Sequence, residues 1–121
     1  MKKSLLIVDD EKLVRWTLAK ILANDEVEVV LAAGGKEAID RIDREDFDLI
    51  ITDLAMPDCS GLDILLKARE IRPGAKVIMM TGYSGDAERQ QVWQAGACEI
   101  IDKPFRVERV MQLVRQTLGN G

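Results

Sequence analysis

The chain has 121 residues, 47% of them hydrophobic, which suits a single domain with one core. With a formal net charge of −4 and no cluster of lysine or arginine, it lacks the basic surface that direct nucleic-acid binding needs. No apolar run approaches the ~18 residues of a membrane span, and the run after Lys2 and Lys3 stops at Asp9, too early for a secretion signal.

Short apolar runs alternate with helical patterns along the whole sequence. In chain order, the pattern predicts a strand at 4–8, a helix at 11–23, a strand at 27–32, a helix at 36–44, a strand at 47–52, a helix at 61–71, a strand at 76–80, a helix at 87–94, a strand at 99–102 and a helix at 107–118. Turn signals separate them, and the residues that carry these signals are Gly34, Gly35, Pro57, Pro73, Gly74 and Gly96.

Two helix starts have capping candidates. We expect Asp10 to cap the first helix and Ser60 to cap the third. Trp16 falls nearly opposite the apolar face predicted for the first helix, so it is expected to be exposed. The residues assigned to that face are Leu13, Val14, Leu18, Ile21 and Leu22.

Strands that alternate with helices predict a parallel sheet covered on both faces. Ligands bind such sheets at the carboxyl ends of the strands, where loops leave the core and helix N-termini point at the crevice. Five polar residues follow or end the apolar runs, and the prediction gathers them at that one edge. They are Asp9, Asp10, Asp53, Thr81 and Lys103.

The residue types at this edge indicate a particular chemistry. Carboxylates crowded together repel unless a cation neutralises them or one stays protonated. Mg²⁺ favours a few carboxylates together with water and phosphate oxygens, so it suits this group best, with Mn²⁺ as a substitute. A carboxylate, a metal ion, a hydroxyl and an ammonium in one pocket are typical of phosphoryl transfer.

Cys59 and Cys98 show neither a metal-ligand spacing nor a CxxC pattern. The predicted topology puts Cys59 beyond the carboxyl end of the third strand and Cys98 at the opposite edge. A disulfide needs Cα atoms within about 7 Å, so we expect two free thiols, which suit a reducing cytoplasm.

Four segments together resemble the receiver domain of two-component response regulators. They are LLIVDDE (5–11), DLIITDLAMPDCSG (48–61), VIMMTGYS (77–84) and GACEIIDKPF (96–105). The resemblance implies a flavodoxin-like (βα)5 sheet of strand order 2-1-3-4-5 in a single domain, residues 1–118, with 119–121 as the start of a linker or a cut site. The segment VRWTL (14–18) also resembles receivers of nitrogen-regulatory, sigma-54-dependent activators.

Each site position then acquires a role by resemblance. Asp53 matches the phosphoacceptor, which takes a phosphoryl group from a histidine kinase, a phosphotransfer protein or a small phosphodonor. Asp9 and Asp10 match the acid pair that holds Mg²⁺ together with Asp53, Asp10 being the more direct ligand. The main-chain carbonyl of Ala55 matches the third protein ligand.

Two further positions match residues that contact the phosphoryl group. Thr81 matches the hydroxyl that bonds a phosphoryl oxygen, and Lys103 matches the lysine that pairs with the phosphate. The resemblance also implies a cis peptide between Lys103 and Pro104. An output domain or a second receiver is the further partner it implies, and no role at a membrane follows from it.

Three positions bear on switching and on water access. Receivers usually carry an aromatic residue three positions before the lysine, but here the position is Ile100, which lacks the ring and hydroxyl of the usual rotamer switch. Ala55 and Tyr83 occupy the positions that flank the approach of water to the phosphorus. Alanine cannot hold a water and tyrosine is bulky, so slow hydrolysis is expected.

Two other functions fit parts of the pattern. Haloacid-dehalogenase-type phosphatases use a similar fold with an Asp nucleophile, but their nucleophile ends the first strand in a DxD pattern and their acid pair comes last, the reverse of the order here. A receiver-like binding module that is never phosphorylated is the other alternative. All five site positions are filled, which argues against it.

Overall fold

A computed structural model describes residues 2–82 and 84–119. Five strands alternate with five helices along the described chain. In order they are β1 (Lys3–Val8), α1 (Lys12–Leu22), β2 (Val27–Ala32), α2 (Gly35–Arg44), β3 (Leu49–Asp53), α3 (Gly61–Ile71), β4 (Lys76–Thr81), α4 (Asp86–Gln94), β5 (Glu99–Asp102) and α5 (Val107–Thr117). Every predicted element is present, and its ends differ from the prediction by at most two residues.

The five strands form one parallel sheet in the order β2-β1-β3-β4-β5. This confirms the predicted flavodoxin-like fold. β1 and β3 lie side by side at the centre, with Val8 opposite Thr52, and their following connections run to opposite faces of the sheet. A crevice opens at the carboxyl ends of two such strands.

Two apolar layers cover the sheet, because successive side chains of a strand point to opposite faces. Leu6 and Ile50 face the layer formed with α2, α3 and α4, whereas Leu5 and Ile51 face the layer formed with α1 and α5. All four are fully buried. Each such side chain stabilises the fold by about 1.5–3 kcal/mol, which explains why the central strands are continuously apolar.

The start of α1 differs from the prediction. Glu11, not Asp10, is its N-cap, and no side chain of the capping residue bonds the helix. The carboxylate of Asp9 instead accepts a hydrogen bond from the Glu11 amide at 2.9 Å. Asp10 as a helix cap was therefore wrong, and its exposed carboxylate is free of that role.

The apolar face of α1 is narrower than predicted. Leu18 and Leu22 are buried, but Leu13 is 73% exposed and does not belong to that face. Leu13 is displaced by about 100° around the helix from Val14, which turns it away from the sheet. Trp16 is 56% exposed, as predicted.

The start of α3 follows the prediction closely. Ser60 is the N-cap, and its hydroxyl accepts a hydrogen bond from the Leu62 amide, while Asp63 completes a capping box. Gly96, with φ +110°, follows the end of α4 as predicted.

Cys59 and Cys98 are both free. In the part of the chain that the structure describes, no helix has the length and apolar character needed to cross a membrane.

Candidate functional site

The five predicted site residues lie at the carboxyl edge of the sheet. Asp9 and Asp10 follow β1, Asp53 ends β3, Thr81 ends β4 and Lys103 follows β5. The parallel register sets this arrangement, because Asp53 pairs with the residue before Thr81 and Thr81 pairs with the residue before Lys103.

Three carboxylates form the centre of the site. Asp9, Asp10 and Asp53 each offer an oxygen, and these oxygens all lie within 4.8 Å of one another. Asp9 is fully buried and Asp53 is 6% exposed, while Asp10 faces solvent. Oxygen ligands at this spacing, with one side open to water, could hold a hard divalent metal ion.

Lys103 lies between two of the carboxylates. Its Nζ is 2.7 Å from Asp9 Oδ2 and 3.4 Å from Asp53 Oδ2. Burial lowers the pKa of Lys103, but the hydrogen bond and charge of Asp9, together with the charge of Asp53, outweigh it and hold that pKa above its usual value. The ammonium is therefore charged at neutral pH. The Lys103–Pro104 peptide is cis, as the resemblance implies.

The pKa of Asp53 is raised above its usual value. Burial is the main cause and the neighbouring charge of Asp9 adds to it, whereas Lys103 and a hydrogen bond from the Ala55 amide oppose it. The site therefore disfavours the charge on Asp53, and a cation placed beside the three carboxylates would restore it.

Thr81 is 2% exposed, and its main-chain oxygen accepts a hydrogen bond from the Lys103 amide at 2.7 Å. The ends of β4 and β5 are thus joined directly beside the acid cluster. Tyr83, two residues further on, lies outside the described residues. Ile100 is 9% exposed and packs in the layer formed with α2, α3 and α4.

Two side chains at the site were not found from the sequence. Glu11 lies 3.7 Å from the Lys103 ammonium, and Arg15 donates a 2.7 Å hydrogen bond to the main-chain oxygen of Asp9. Arg15 lies six positions beyond Asp9 in the sequence. The direction in which α1 leaves the sheet brings the Arg15 side chain close to Asp9, and the sequence does not reveal that direction. Glu11 stands next to Asp10 in the sequence, but nothing in the sequence pattern indicates that its carboxylate would lie near Lys103.

The loop between β3 and α3 carries Ala55. The Leu54 amide bonds to Met80 O at 2.8 Å, and the Gly61 amide bonds to Leu54 O at 2.7 Å. Ala55 also forms an isolated antiparallel bridge with Ser60. These main-chain bonds fix the two ends of the loop that carries Ala55 beside Asp53.

Fold and site together define a flavodoxin-like α/β protein with an acidic, lysine-containing pocket at the carboxyl edge of its sheet. Residues 5–115 match the model of the response regulator receiver domain. The chain belongs to this family, whose members are signalling modules of two-component systems. Membership decides against the dehalogenase-type alternative.

Named relatives agree with this assignment. The chain is 35% identical over 117 residues to the response regulator protein PilR of Pseudomonas aeruginosa, covering 97% of this chain and 26% of PilR. It is 32% identical over 120 residues to the chemotaxis protein CheY of Bacillus subtilis, covering 98% of this chain and all of CheY. The nitrogen-regulatory resemblance is weaker, at 28% identity over 114 residues of NtrC from Klebsiella pneumoniae, 94% of this chain and 24% of NtrC.

A solved structure gives the same result. The CheY-like receiver domain protein from Methanospirillum hungatei JF-1 superposes with a TM-score of 0.94 at 33% identity, covering 99% of this chain and 96% of that one. Receiver domains bind Mg²⁺ at an acidic pocket and work with histidine kinases or phosphotransfer proteins. The chain spans all of CheY but only about a quarter of PilR.

Proposed function

We propose that this domain is a phosphoacceptor and that Asp53 takes up the phosphoryl group. The observation that carries the proposal is the position of Asp53, a nearly buried carboxylate within 4.8 Å of two further carboxylates and 3.4 Å from an ammonium. Asp9, Asp10, Asp53 and the main-chain carbonyl of Ala55 would hold Mg²⁺, which when bound neutralises charge on the phosphoryl oxygens.

The charges explain why a divalent ion belongs in the reaction. Three carboxylates and one ammonium leave the pocket with two negative charges, and no other cationic side chain of the described residues lies within ion-pair distance of these carboxylates. An anionic phosphodonor would be repelled by such a pocket. Mg²⁺ held by these carboxylates would offset that repulsion.

In the transfer step, one Asp53 oxygen forms a bond to phosphorus while the bond from phosphorus to the donor's nitrogen or oxygen breaks. The electron pair of the broken bond leaves with the donor, a phosphohistidine or a small acyl phosphate. The Lys103 ammonium and the Thr81 hydroxyl then bond phosphoryl oxygens, for which Lys103 exchanges its contact with Asp9 for one with the phosphate. The protein contributes position and charge, as a loose transition state requires.

The first prediction tests metal-dependent uptake. With acetyl phosphate and Mg²⁺, the intact protein should gain the mass of one phosphoryl group, and EDTA should prevent the gain. Asp10→Ala removes a charged ligand and should weaken Mg²⁺ binding at least about tenfold. If Asp10→Ala kept the wild-type Mg²⁺ affinity, the ligand role would move to Asp9. A wild-type chain that gained no mass would instead be the unphosphorylated binding module.

We further propose that phosphorylation changes the face formed by α4, β5 and α5. Asp102, next to Lys103, pairs with Arg89 of α4 at 2.7 Å, so a displacement of Lys103 toward the phosphate reaches α4 without an aromatic switch residue. Ile100 lies beside a surface depression of about 360 Å³ on this face, which leaves it room to move. A shift from almost all inactive to almost all active needs about 5.5 kcal/mol of differential stabilisation. Because Ile100 lacks the ring of the usual switch residue, part of that stabilisation is missing, and the change is smaller than with an aromatic residue.

The second prediction concerns this face. Addition of Mg²⁺ and phosphoramidate should shift the backbone amide resonances of residues 84–105, including Arg89 and Asp102. The matched control is the Asp53→Asn variant under the same conditions, whose spectrum should not move on adding the donor. Shifts that stop at residues 53–60 and leave 84–105 unchanged would contradict the proposal.

The third prediction is a long-lived phosphoryl group. Ala55 is exposed beside the acceptor and has no polar side-chain atom that could orient a water molecule. Ala55→Asn supplies a hydrogen-bond partner there and should shorten the lifetime about tenfold, whereas Ala55→Val should not. Decay of phosphorylated protein is followed by intact mass after the donor is removed, with excess Mg²⁺. Equal decay of the three forms would place the control of lifetime elsewhere.

We propose that the domain comprises residues 1–118 and that a cytoplasmic sensor kinase or phosphotransfer protein is the donor. Relatives such as PilR are several times longer than this chain, so an output domain is one proposed recipient of the signal. A second copy of the receiver is the other.

A further inference from the structure

The loop that follows Asp53 is attached to a helix outside the site. The carboxylate of Asp58 accepts hydrogen bonds from the amides of Gly35 and Lys36, both at 2.9 Å and one to each oxygen. These amides begin α2 and lie more than 20 positions away in the sequence. Asp58 therefore joins the β3–α3 loop to the N-terminus of α2.

α2 needs this partner because its own N-cap has no side chain. The cap is Gly34, and no side chain of the capping residue bonds the helix. The first amides of a helix lack intrahelical acceptors and favour a negative charge. The two bonds, first from Lys36 and then from Gly35, hold the pKa of Asp58 below its usual value, so the carboxylate is charged at neutral pH.

The two segments are also in close packing contact. A Cβ on Gly34 would lie 3.1 Å from Asp58 Oδ1, and a Cβ on Gly35 would overlap the sulfur of Cys59. A side chain at position 35 would require Cys59 to shift, and one at position 34 would press on the Asp58 carboxylate. The loop thus contacts the start of α2 through both Asp58 and Cys59.

The same loop carries Ala55, two residues after Asp53. Main-chain bonds of Leu54 and Gly61 fix the two ends of the loop, and Met56 and Cys59 pack against the apolar core. Asp58 adds the side-chain hydrogen bonds that join the middle of the loop to α2. Asp58 and Asp10 border the same surface depression of about 390 Å³, so this attachment lies on the metal-binding side of the loop.

We propose that Asp58 is a positioning residue for the metal site. It fixes the β3–α3 loop against α2, so that the Ala55 carbonyl is in place before Mg²⁺ arrives. The inference rests on the proposed function, because it assigns Asp58 to the same Mg²⁺ site. Supporting residues of this kind commonly change metal affinity about 10–100-fold when they are replaced.

The test measures Mg²⁺ affinity without any phosphodonor. Backbone amide shifts of Leu54 and Asp10 are followed during Mg²⁺ titration of the wild type, Asp58→Ala, Asp58→Asn and Asp40→Asn. Asp58→Ala should raise the Mg²⁺ dissociation constant about tenfold. Asp58→Asn keeps one acceptor oxygen, so its Mg²⁺ dissociation constant should lie between those of the wild type and Asp58→Ala. Asp40, an exposed acid within α2, has no side-chain bond among the described residues, so Asp40→Asn controls for loss of one charge.

Two further readouts separate positioning from general damage. In phosphorylation with acetyl phosphate, Asp58→Ala should raise the half-saturating Mg²⁺ concentration while the rate at saturating Mg²⁺ stays within about twofold of wild type. The Gly35 and Lys36 amides should exchange faster with solvent. Unchanged Mg²⁺ affinity in Asp58→Ala, or a lower saturated rate at unchanged affinity, would overturn the inference. Mg²⁺ binding without phosphorylation of the wild type would defeat only the proposed function.

Discussion

An Asp53→Asn variant is expected to take up no phosphoryl group from acetyl phosphate and Mg²⁺, while folding more stably than the wild type at neutral pH. The amide has no nucleophilic oxygen of comparable strength, so uptake should be lost completely. It also carries no charge to be desolvated at a position that is only 6% exposed. Intact mass measures the first effect and thermal unfolding measures the second.

The stability gain should depend on pH in a defined direction. Burial, assisted by Asp9, raises the pKa of Asp53 above its ordinary value of 3.8. The folded protein therefore binds this proton more tightly than the unfolded chain, so wild-type stability falls as pH rises from about 3.8 through the raised pKa. In Asp53→Asn residue 53 does not titrate, so the variant does not lose stability over this pH range for that reason.

Thermal unfolding of the wild type and of Asp53→Asn should be measured at a series of pH values. EDTA is present because bound Mg²⁺ would offset the repulsion between the charged carboxylates of Asp53 and Asp9. The difference in melting temperature should be small near the ordinary pKa of an aspartate and should grow toward neutral pH. A variant that is less stable than the wild type at pH 7 would show that the contact with Lys103 outweighs the burial of the charge.

Gly61→Ala should strongly destabilise the fold. A Cβ at this position would overlap the main-chain oxygen of Asp53 and lie 2.9 Å from Leu54 Cα and 2.8 Å from Met79 Sδ. Two of these neighbours are main chain and cannot move aside, so we expect a loss of about 3 kcal/mol in the free energy of unfolding, at the upper end of overpacking effects. Urea unfolding gives the value.

The matched control is Gly74→Ala, at a glycine with nothing within 4 Å of the added methyl group. It should leave stability unchanged or raise it by about 0.4–1 kcal/mol, through the lower entropy of the unfolded chain. Equal stabilities of the Gly61→Ala and Gly74→Ala variants would mean that the loop after Asp53 adapts, and that its close approach to α3 does not fix the phosphoacceptor.

The sheet and its helices could be predicted because local patterns carry them. Continuous apolar runs identify strands buried on both faces, and turn residues such as Gly96 mark where helices end. The alternation of strands and helices then places Asp9, Asp53 and Lys103 at one edge without further information. Ser60 was correctly identified as a cap because a serine directly before a helical pattern is a local signal, and in the structure Asp63, three residues on, completes the capping box.

What the sequence did not predict depends on how separate segments meet. Asp10 was expected to cap α1, but the carboxylate of Asp9, the first residue after β1, accepts the hydrogen bond from the Glu11 amide instead. Leu13 was assigned to the core because it is apolar, but it is exposed. Its exposure depends on how α1 is rotated relative to the sheet, which the local sequence does not determine. Asp58 lies in a plain loop, and its bonds to α2 span more than 20 residues that no local pattern connects.

The central claim is that the phosphoryl group is carried on the side chain of residue 53, and reductive trapping tests it most directly. The protein is incubated with acetyl phosphate and Mg²⁺ and then treated with borohydride, which reduces an aspartyl phosphate to homoserine. Peptide mass spectrometry should find homoserine at position 53 and aspartate at positions 9 and 10. Homoserine at another acidic residue, or unmodified Asp53 in protein that has gained a phosphoryl group, would contradict the claim.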